Sequence, residues 1–208
     1  CSSLANLLLG LPSTFLPPGG FKQATILGHG GVGIVEAIGP QVKRLQVGDR
    51  VIIGVTPECG QCANCLQGRA DYCNQLIEPL DPIADTADGA PIVINTLLGP
   101  GGHSELMVPY EEWCVPVFTD VSPVELSMLA CVGSAGLGST SVIARVRAGS
   151  NVVVHGAGPV GLSAIQGARI NGATQIIAVE PISARRELAL KVGATMAMDP
   201  NAEGEHLV

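Results

Sequence analysis

The sequence has few aromatic residues, few basic residues and no long apolar run. Among 208 residues there are three Phe, two Tyr and one Trp, so aliphatic side chains and alanine are expected to fill the interior. Eleven Lys and Arg against eighteen Asp and Glu give a formal net charge of -7, which excludes a basic surface for nucleic acid. No apolar run approaches the roughly 20 residues of a membrane-spanning helix. The composition therefore predicts a soluble, cytoplasmic protein with neither a nucleic-acid nor a membrane partner.

The remaining composition is that of a folded chain. Hydrophobic residues make up 47% and charged residues 14%, which excludes disorder caused by low hydrophobicity. The chain begins with Cys1 instead of Met and ends partway through an alternation of strand and helix patterns. We expect it to be a segment of a longer protein.

The local patterns change character near residue 130. Before that point, short β-rich runs at 33–38 and 50–55 are interrupted by turn signals, which predicts an irregular all-β region. The stretch 78–102 is rich in Asp, Pro and Gly and lacks a helical period, so we interpret it as a long surface excursion.

The second part of the chain alternates strand and helix patterns. Strands are predicted at 151–155 and 175–180, and helices at 159–171 and 183–192, each helix being followed by glycine. This β-α-β-α order is typical of a parallel sheet covered by helices.

Four of the seven cysteines are concentrated within fifteen residues. Cys59, Cys62 and Cys65 are each separated by two residues, and Cys73 follows after seven more. Four thiolates close a tetrahedral shell, which is typical of a structural zinc site. The alternatives are two disulfides, which a reducing compartment and an odd cysteine count disfavour, and an iron–sulfur cluster, whose common motif has a shorter last spacing followed by Pro.

A glycine-rich motif lies between the predicted strand at 151–155 and the following helix. It reads Gly156-Ala-Gly158-Pro159-Val160-Gly161. In this context the first glycine permits the turn, the second lets the backbone approach a pyrophosphate, and the third lets helix and strand pack. The alternative is a glycine-rich turn that binds no nucleotide.

An acidic residue completes this dinucleotide pattern. Glu180 ends the next predicted strand, nineteen residues after Gly161, where a carboxylate binds a ribose diol and repels a 2′-phosphate. The pattern favours NAD over NADP, although Arg185 and Arg186 lie close enough to weaken that preference. Arg185 is included among the expected cofactor-binding residues.

A third motif resembles a known family. Residues Gly28-His29-Gly30-Gly31-Val32-Gly33, followed by Gly39 and Val42, are similar to the zinc signature of the medium-chain, zinc-containing alcohol dehydrogenases. The resemblance continues through 47–51, the four-cysteine lobe, 131–138 and 152–180. Within the family, 166–181 is most similar to class III, which oxidises the adduct of formaldehyde with glutathione and long-chain primary alcohols.

The resemblance implies a two-domain α/β protein. Residues 1–132 would form an irregular β-rich GroES-like catalytic domain, here partial, with the zinc lobe at 59–73. Residues 133–208 would form the first half of a Rossmann NAD-binding domain. The full-length protein would be a homo-oligomer acting on a small alcohol or aldehyde.

The resemblance also implies a catalytic zinc. Cys1, His29 and Cys131 would hold it, with water or alcohol in the fourth position, and the Ser3 hydroxyl would take the substrate proton. Zinc would lower the pKa of the bound alcohol, and the alkoxide would pass a hydride to NAD.

Two departures from the family pattern leave a second function open. Leu4 stands where the family has Asp, and Gly30 stands where it has Glu, so both acids near the catalytic zinc are missing. Partners of this kind orient metal ligands, and losing one typically costs roughly 10- to 100-fold in affinity or activity. We therefore consider a zinc-dependent, NAD-linked oxidoreductase and, as the alternative, a catalytically inactive, zinc-stabilised dinucleotide-binding relative.

Overall fold

The computed structural model describes four stretches of the chain: 24–54, 59–74, 84–94 and 101–202. The chain separates into two units, Cys1–Cys131 and Val132–Val208. Each unit is described by itself below.

The first unit is built from short strands and single helical turns. Its described strands are β1 (Ala24–Ile26), β2 (Gly31–Ile34), β3 (Arg50–Ile53), β4 (Ala84–Asp85), β5 (Pro91–Ile94) and β6 (Cys114–Pro116). Two short α-helices, α1 (Ala63–Leu66) and α2 (Pro123–Ser127), and 3₁₀ turns at Ala70–Tyr72, Glu111–Trp113 and Met128–Ala130 connect them.

The central sheet of this unit is antiparallel, in the order β2-β3-β6. Side chains along β3 alternate between its two faces, as the twofold period of a strand requires. Val51 and Ile53 pack with Trp113 on one face, whereas Ile52 packs with Leu126 on the other. Because both faces of β3 are covered, its three apolar residues are all buried.

The sequence-based prediction for 78–102 is wrong in part, because this stretch contains two strands. β4 and β5 form a hairpin closed by Thr86, whose N–H donates to the Ala90 carbonyl at 2.8 Å, and Asp88-Gly89 supply the turn. β5 also pairs in parallel with β1. The acidic and glycine residues that suggested an excursion form the hairpin turn, and the β-branched run Pro91–Ile94 forms the strand.

The strands predicted at 33–38 and 50–55 are also shorter than expected. β2 begins at Gly31 and ends at Ile34, and β3 ends at Ile53. Beyond Ile34, only Val35 still bonds to the partner segment, through the Asp49 carbonyl at 2.9 Å. The Gly48-Asp49 turn then ends the pairing.

The second unit alternates strands and helices as its sequence predicts. Its described elements are α3 (Val132–Gly138), a π-helical turn (Ser139–Ile143), β7 (Asn151–His155), α4 (Pro159–Ile170), β8 (Gln175–Val179), α5 (Ser183–Val192) and β9 (Met196–Met198). The three strands are parallel, in the order β7-β8-β9. The predicted boundaries of α4 and β8 each extend one residue too far, to 171 and 180.

Small and aliphatic residues form the core of this unit. Ile165 on α4 and Ile176 on β8 are almost completely inaccessible to solvent. Alanines surround them, and their small side chains let the helices approach the sheet closely. Truncating either isoleucine to alanine is expected to cost about 2 to 5 kcal/mol.

The carboxyl ends of the three strands meet at one edge. Gly156, Glu180 and Asp199 directly follow β7, β8 and β9. In open parallel sheets, ligands bind in the crevice outside this edge. The fold therefore places the glycine-rich motif and two acids at the edge where sheets of this type bind ligands.

No single helix in the described part of the chain is long and apolar enough to cross a membrane. The bent pair Pro123–Ala130 and Val132–Ile143 meets the length and composition test only when taken together.

Candidate metal and cofactor sites

The four clustered cysteines converge on one point. Cys62 precedes α1, Cys65 lies within it, and Cys73 follows the 3₁₀ turn Ala70–Tyr72. All four Sγ atoms lie within 4.8 Å of one another. The Cys62–Cys65 separation is 3.5 Å and the Cys59–Cys65 separation 4.0 Å. Two thiolates on a tetrahedral zinc with Zn–S bonds of about 2.3 Å are separated by about 3.8 Å, so the donors fit this ion.

Backbone N–H groups in the lobe donate to sulfur. The Cys62 N–H lies 3.3 Å from the Cys59 Sγ, and the Cys59 N–H lies 3.4 Å from the Cys73 Sγ. Such donors stabilise thiolate charge and aim the sulfur lone pairs.

The thiols of the lobe ionise unequally. N–H groups of Cys65 and Asn74 lower the pKa of Cys62 to about 6. Burial and the neighbouring Cys62 thiol raise the pKa of Cys65 to about 12. The Cys62–Cys65 pair therefore holds at least one proton at neutral pH without a metal, and binding of a cation by all four sulfurs must release that proton.

A second pair of metal-binding side chains meets elsewhere in the first unit. His29 lies just before β2, and Cys131 follows the turn Met128–Ala130. Although 102 positions separate them, the His29 Nε2 and the Cys131 Sγ lie 3.8 Å apart. An imidazole nitrogen and a thiolate sulfur on one tetrahedral zinc are separated by about 3.5 Å, so the pair is close to the spacing that one ion requires.

Burial acts on both members of this pair. It lowers the pKa of His29, which favours the neutral imidazole that binds metals. It raises the pKa of Cys131, which favours the neutral thiol when no cation is present. A bound cation would reverse that second preference.

The segments that carry the pair are fixed locally. The Ser122 hydroxyl accepts the Glu125 N–H at 3.3 Å, and the Glu125 carboxylate accepts the Ser122 N–H at 3.3 Å, so a capping box starts the helix that leads to Cys131. The segment before His29 is held by a second contact. The His103 N–H donates to the Leu27 carbonyl at 3.1 Å, which joins the turn around His103 to the residues that precede His29.

Gly30 leaves no room for the acid that the family carries at this position. Its φ of +76° lies in the left-handed region. A Cβ would lie 2.7 Å from the Ile53 carbonyl oxygen and 2.9 Å from the Ala130 Cβ. The backbone at position 30 has a conformation and surroundings that favour glycine. The sequence therefore differs from the family in the space around position 30 as well as in the missing carboxylate.

The other expected members of the catalytic zinc site, Cys1 and Ser3, lie outside the described residues, as does Leu4. Within the described ranges, the four-cysteine lobe is the one group of three or more His, Cys, Asp or Glu side chains close enough to share an ion. His29 and Cys131 therefore contribute two donors to the expected catalytic zinc site, and the expected third ligand is Cys1.

The glycine-rich turn has the local geometry that the motif predicts. Gly156 has a φ of +86°, and a Cβ at Gly161 would overlap the Gly156 carbonyl oxygen. A Cβ at Gly158 would meet nothing within 4 Å. Pro159 and Val160 form the start of α4, where no side chain caps the helix. Open space beside uncapped N–H groups fits a pyrophosphate.

Glu180 is tied to the glycine-rich turn. Its side chain is only 3% exposed, and its Oε2 accepts the Ala157 N–H at 2.8 Å. Its Oε1 accepts the Ile182 N–H at 3.0 Å. These two donors, Ile182 first, hold the pKa of Glu180 below its ordinary value. The carboxylate is therefore ionised and held at the strand edge.

Two residues at this edge were not assigned from sequence. Arg186 pairs with Asp199 at 3.0 Å, and its NH1 also donates to the Glu180 carbonyl at 2.7 Å. Asp199 directly follows β9, and the carboxyl ends of neighbouring parallel strands meet, so a three-strand prediction could have found it.

Comparison with known proteins identifies the family. Residues 11–119 match the alcohol dehydrogenase GroES-like domain, and residues 159–207 match the zinc-binding dehydrogenase domain. The chain belongs to the medium-chain, zinc-containing alcohol dehydrogenase family, with a GroES-like domain followed by Rossmann-type α/β structure.

Individual relatives agree with this assignment. A probable alcohol dehydrogenase from a Pseudomonas species is 36% identical over 189 residues, covering 86% of this chain and 59% of the relative. An S-(hydroxymethyl)glutathione dehydrogenase from Candida maltosa is 36% identical over 191 residues, covering 88% and 49%. The crystal structure of an alcohol dehydrogenase zinc-binding domain protein from Burkholderia ambifaria has a TM-score of 0.78 and 36% identity, covering 88% and 50%. The chain thus spans about half the length of the relatives it matches.

Proposed function

We propose that this chain is part of a zinc-dependent oxidoreductase that transfers a hydride between an alcohol, or an aldehyde adduct, and NAD. The approach of His29 Nε2 to 3.8 Å from Cys131 Sγ carries the proposal. A structural zinc lobe and a glycine-rich turn suit any dinucleotide-binding relative. Zinc-dependent alcohol oxidation would also need a metal position open to substrate, and the His29–Cys131 contact supports such a position in the first unit.

The first unit would bind and activate the alcohol. Cys1, His29 and Cys131 would hold zinc and leave its fourth position to the substrate oxygen. When bound, the zinc would supply the Lewis acid that lowers the pKa of the alcohol, and NAD would supply the hydride acceptor. The Ser3 hydroxyl would accept the alcohol proton.

The second unit would bind the adenosine half of NAD. N–H groups at the start of α4 would face the pyrophosphate, with Gly158 leaving the space for its approach. The Glu180 carboxylate would accept hydrogen bonds from the ribose hydroxyls, since it has lone pairs beyond the two that Ala157 and Ile182 use. Its negative charge supports NAD over NADP.

The substrate class we propose is a primary alcohol or the glutathione adduct of formaldehyde. The class III resemblance of 166–181 and the name of the Candida maltosa relative support the adduct. We further propose that the complete protein is cytoplasmic, where its thiols stay reduced, and homo-oligomeric.

A second candidate function rests on Gly30. The left-handed backbone and the close Ile53 carbonyl leave no room there for an acid that supports zinc. A catalytically inactive relative would keep the four-cysteine lobe and the dinucleotide turn while lacking zinc at His29 and Cys131.

Turnover of alcohols tests the choice between these two functions. We expect NADH formation from primary alcohols or from S-(hydroxymethyl)glutathione, and its loss in Cys131→Ser. The buried Cys114 lies outside both proposed sites, so Cys114→Ser is the matched control and should stay active. A protein that binds NADH tightly but oxidises none of these substrates supports the inactive relative.

A further inference from the structure

We propose that Asp199 and Arg186 form a latch that sets the discrimination against a 2′-phosphate on the dinucleotide. The inference rests on the proposed function, because it concerns the same cofactor edge. It assigns a specificity role to a residue pair outside the glycine-rich motif.

Arg186 is held in place by three acceptors. Its NH1 donates to the Glu180 carbonyl at 2.7 Å and to the Pro181 carbonyl at 2.8 Å, and it lies 3.0 Å from the Asp199 Oδ2. The Arg186 side chain is 22% exposed and the Asp199 side chain 25% exposed. All three contacts are made by NH1, so they hold that end of the guanidinium in place, and the Asp199 carboxylate offsets its positive charge.

Arg185 differs from its neighbour in this respect. It lies 3.9 Å from the Glu180 Oε2, and its side chain is 52% exposed. It can therefore move toward solvent or ligand at little cost, because exposed ion pairs contribute little. Of the two adjacent arginines, Arg185 therefore pairs loosely with Glu180, whereas Arg186 forms a short ion pair with Asp199.

The charge at this edge is balanced by Asp199. Glu180 and Asp199 contribute two negative charges, and Arg185 and Arg186 contribute two positive charges. A 2′-phosphate placed at the ribose position meets the Glu180 carboxylate and an arginine already neutralised by Asp199. Without the Asp199 charge, Arg186 becomes a partner with the fork geometry that phosphate prefers.

Dissociation constants for NADH and NADPH, measured by nucleotide fluorescence, test the latch. Wild-type protein should bind NADH more tightly than NADPH. Asp199→Asn should tighten NADPH by about two- to fivefold relative to NADH, the order expected for freeing one partly exposed charge pair. The gain should shrink in high salt, where the interaction is screened. Asp199→Glu, which keeps the charge, should retain the wild-type ratio.

Two further variants separate the latch from simpler explanations. Glu187→Gln removes one exposed negative charge from the same helix without touching Arg186, and it should leave the ratio unchanged. Adding Arg186→Met to Asp199→Asn should abolish the NADPH gain.

An equal loss of both nucleotides in Asp199→Asn would assign the pair a structural role and overturn the latch. NADH binding with an unchanged ratio would overturn the latch alone. Failure of the wild-type protein to bind either nucleotide would overturn the proposed function and the latch together.

Discussion

The His29 Nε2 lies 3.8 Å from the Cys131 Sγ, across 102 positions of sequence. Both side chains are partly buried, and each reaches the pair from a segment fixed by backbone packing. Two borderline-soft donors at this spacing suit zinc. Under the proposed function, zinc held by this pair would distinguish an oxidoreductase from a protein that only binds a dinucleotide.

Two alanine substitutions in the glycine-rich turn should have opposite consequences. Gly161→Ala puts a methyl group into the Gly156 carbonyl and should destabilise the fold by about 2 kcal/mol or more. Gly158→Ala meets open space and has an extended backbone, so the melting temperature should hardly change. NADH affinity should nevertheless fall at least about tenfold, because the methyl group occupies the approach of the pyrophosphate. Unchanged NADH binding in a folded Gly158→Ala protein would count against the cofactor assignment.

Position 30 should tolerate no side chain. Gly30→Ala should lower the free energy of unfolding by about 1 to 3 kcal/mol, since it adds left-handed strain and a clash with the Ile53 carbonyl. Gly31→Ala is the matched control, because a Cβ there meets nothing within 4 Å. Gly30→Glu should likewise destabilise the protein instead of strengthening zinc binding. A stable Gly30→Glu protein with tighter zinc would contradict this account.

Glu180 should stabilise the protein at neutral pH and not in acid. Its folded-state pKa lies below the ordinary value because N–H groups of Ile182 and Ala157 donate to its carboxylate. A lowered pKa contributes stability above the unfolded-state value, and the contribution is lost as pH falls through the folded-state value. The stability difference between wild type and Glu180→Gln should be largest at pH values above the unfolded-state pKa of glutamate and should vanish below the lowered folded-state pKa. Urea unfolding across this range measures it.

The four-cysteine lobe should depend on every thiol. Cys73→Ser should lose the lobe zinc and destabilise the first unit, because three thiolates leave the shell open. Cys114→Ser, which alters a buried thiol in another core cluster, should keep the zinc. Zinc uptake by the wild-type apoprotein should release protons, including the one held by the Cys62–Cys65 pair, and zinc affinity should fall on acidification. Zinc retention in Cys73→Ser would contradict a four-thiolate site.

Much of the second unit follows from its sequence. The predicted strand at 151–155 and helix at 183–192 coincide with β7 and α5, because aliphatic strands and helices ended by glycine are local signals. The hairpin at β4 and β5 was missed because its strands are short and its turn residues dominate the composition. Its second strand also depends on a distant partner, β1.

The site was predictable in its residue types but not in its contacts. Cysteine spacing predicts that the lobe converges, since its ligands lie within fifteen residues. The contact between Glu180 and the Ala157 N–H joins positions 23 residues apart. Its donor is a backbone N–H, which almost any residue type can supply, so the sequence does not mark the partner of Glu180. The pairing of Arg186 with Asp199 was missed because the third strand, which ends directly before Asp199, was not predicted.

Zinc content per chain, determined by elemental analysis, tests the central claim most directly. We predict two zinc ions per chain, with His29→Ala and Cys131→Ser each losing one and keeping the other. Cys62→Ser should lose the complementary ion. One zinc per chain, lost with the lobe cysteines and unaffected by His29→Ala, would contradict the oxidoreductase and leave a zinc-stabilised dinucleotide-binding protein.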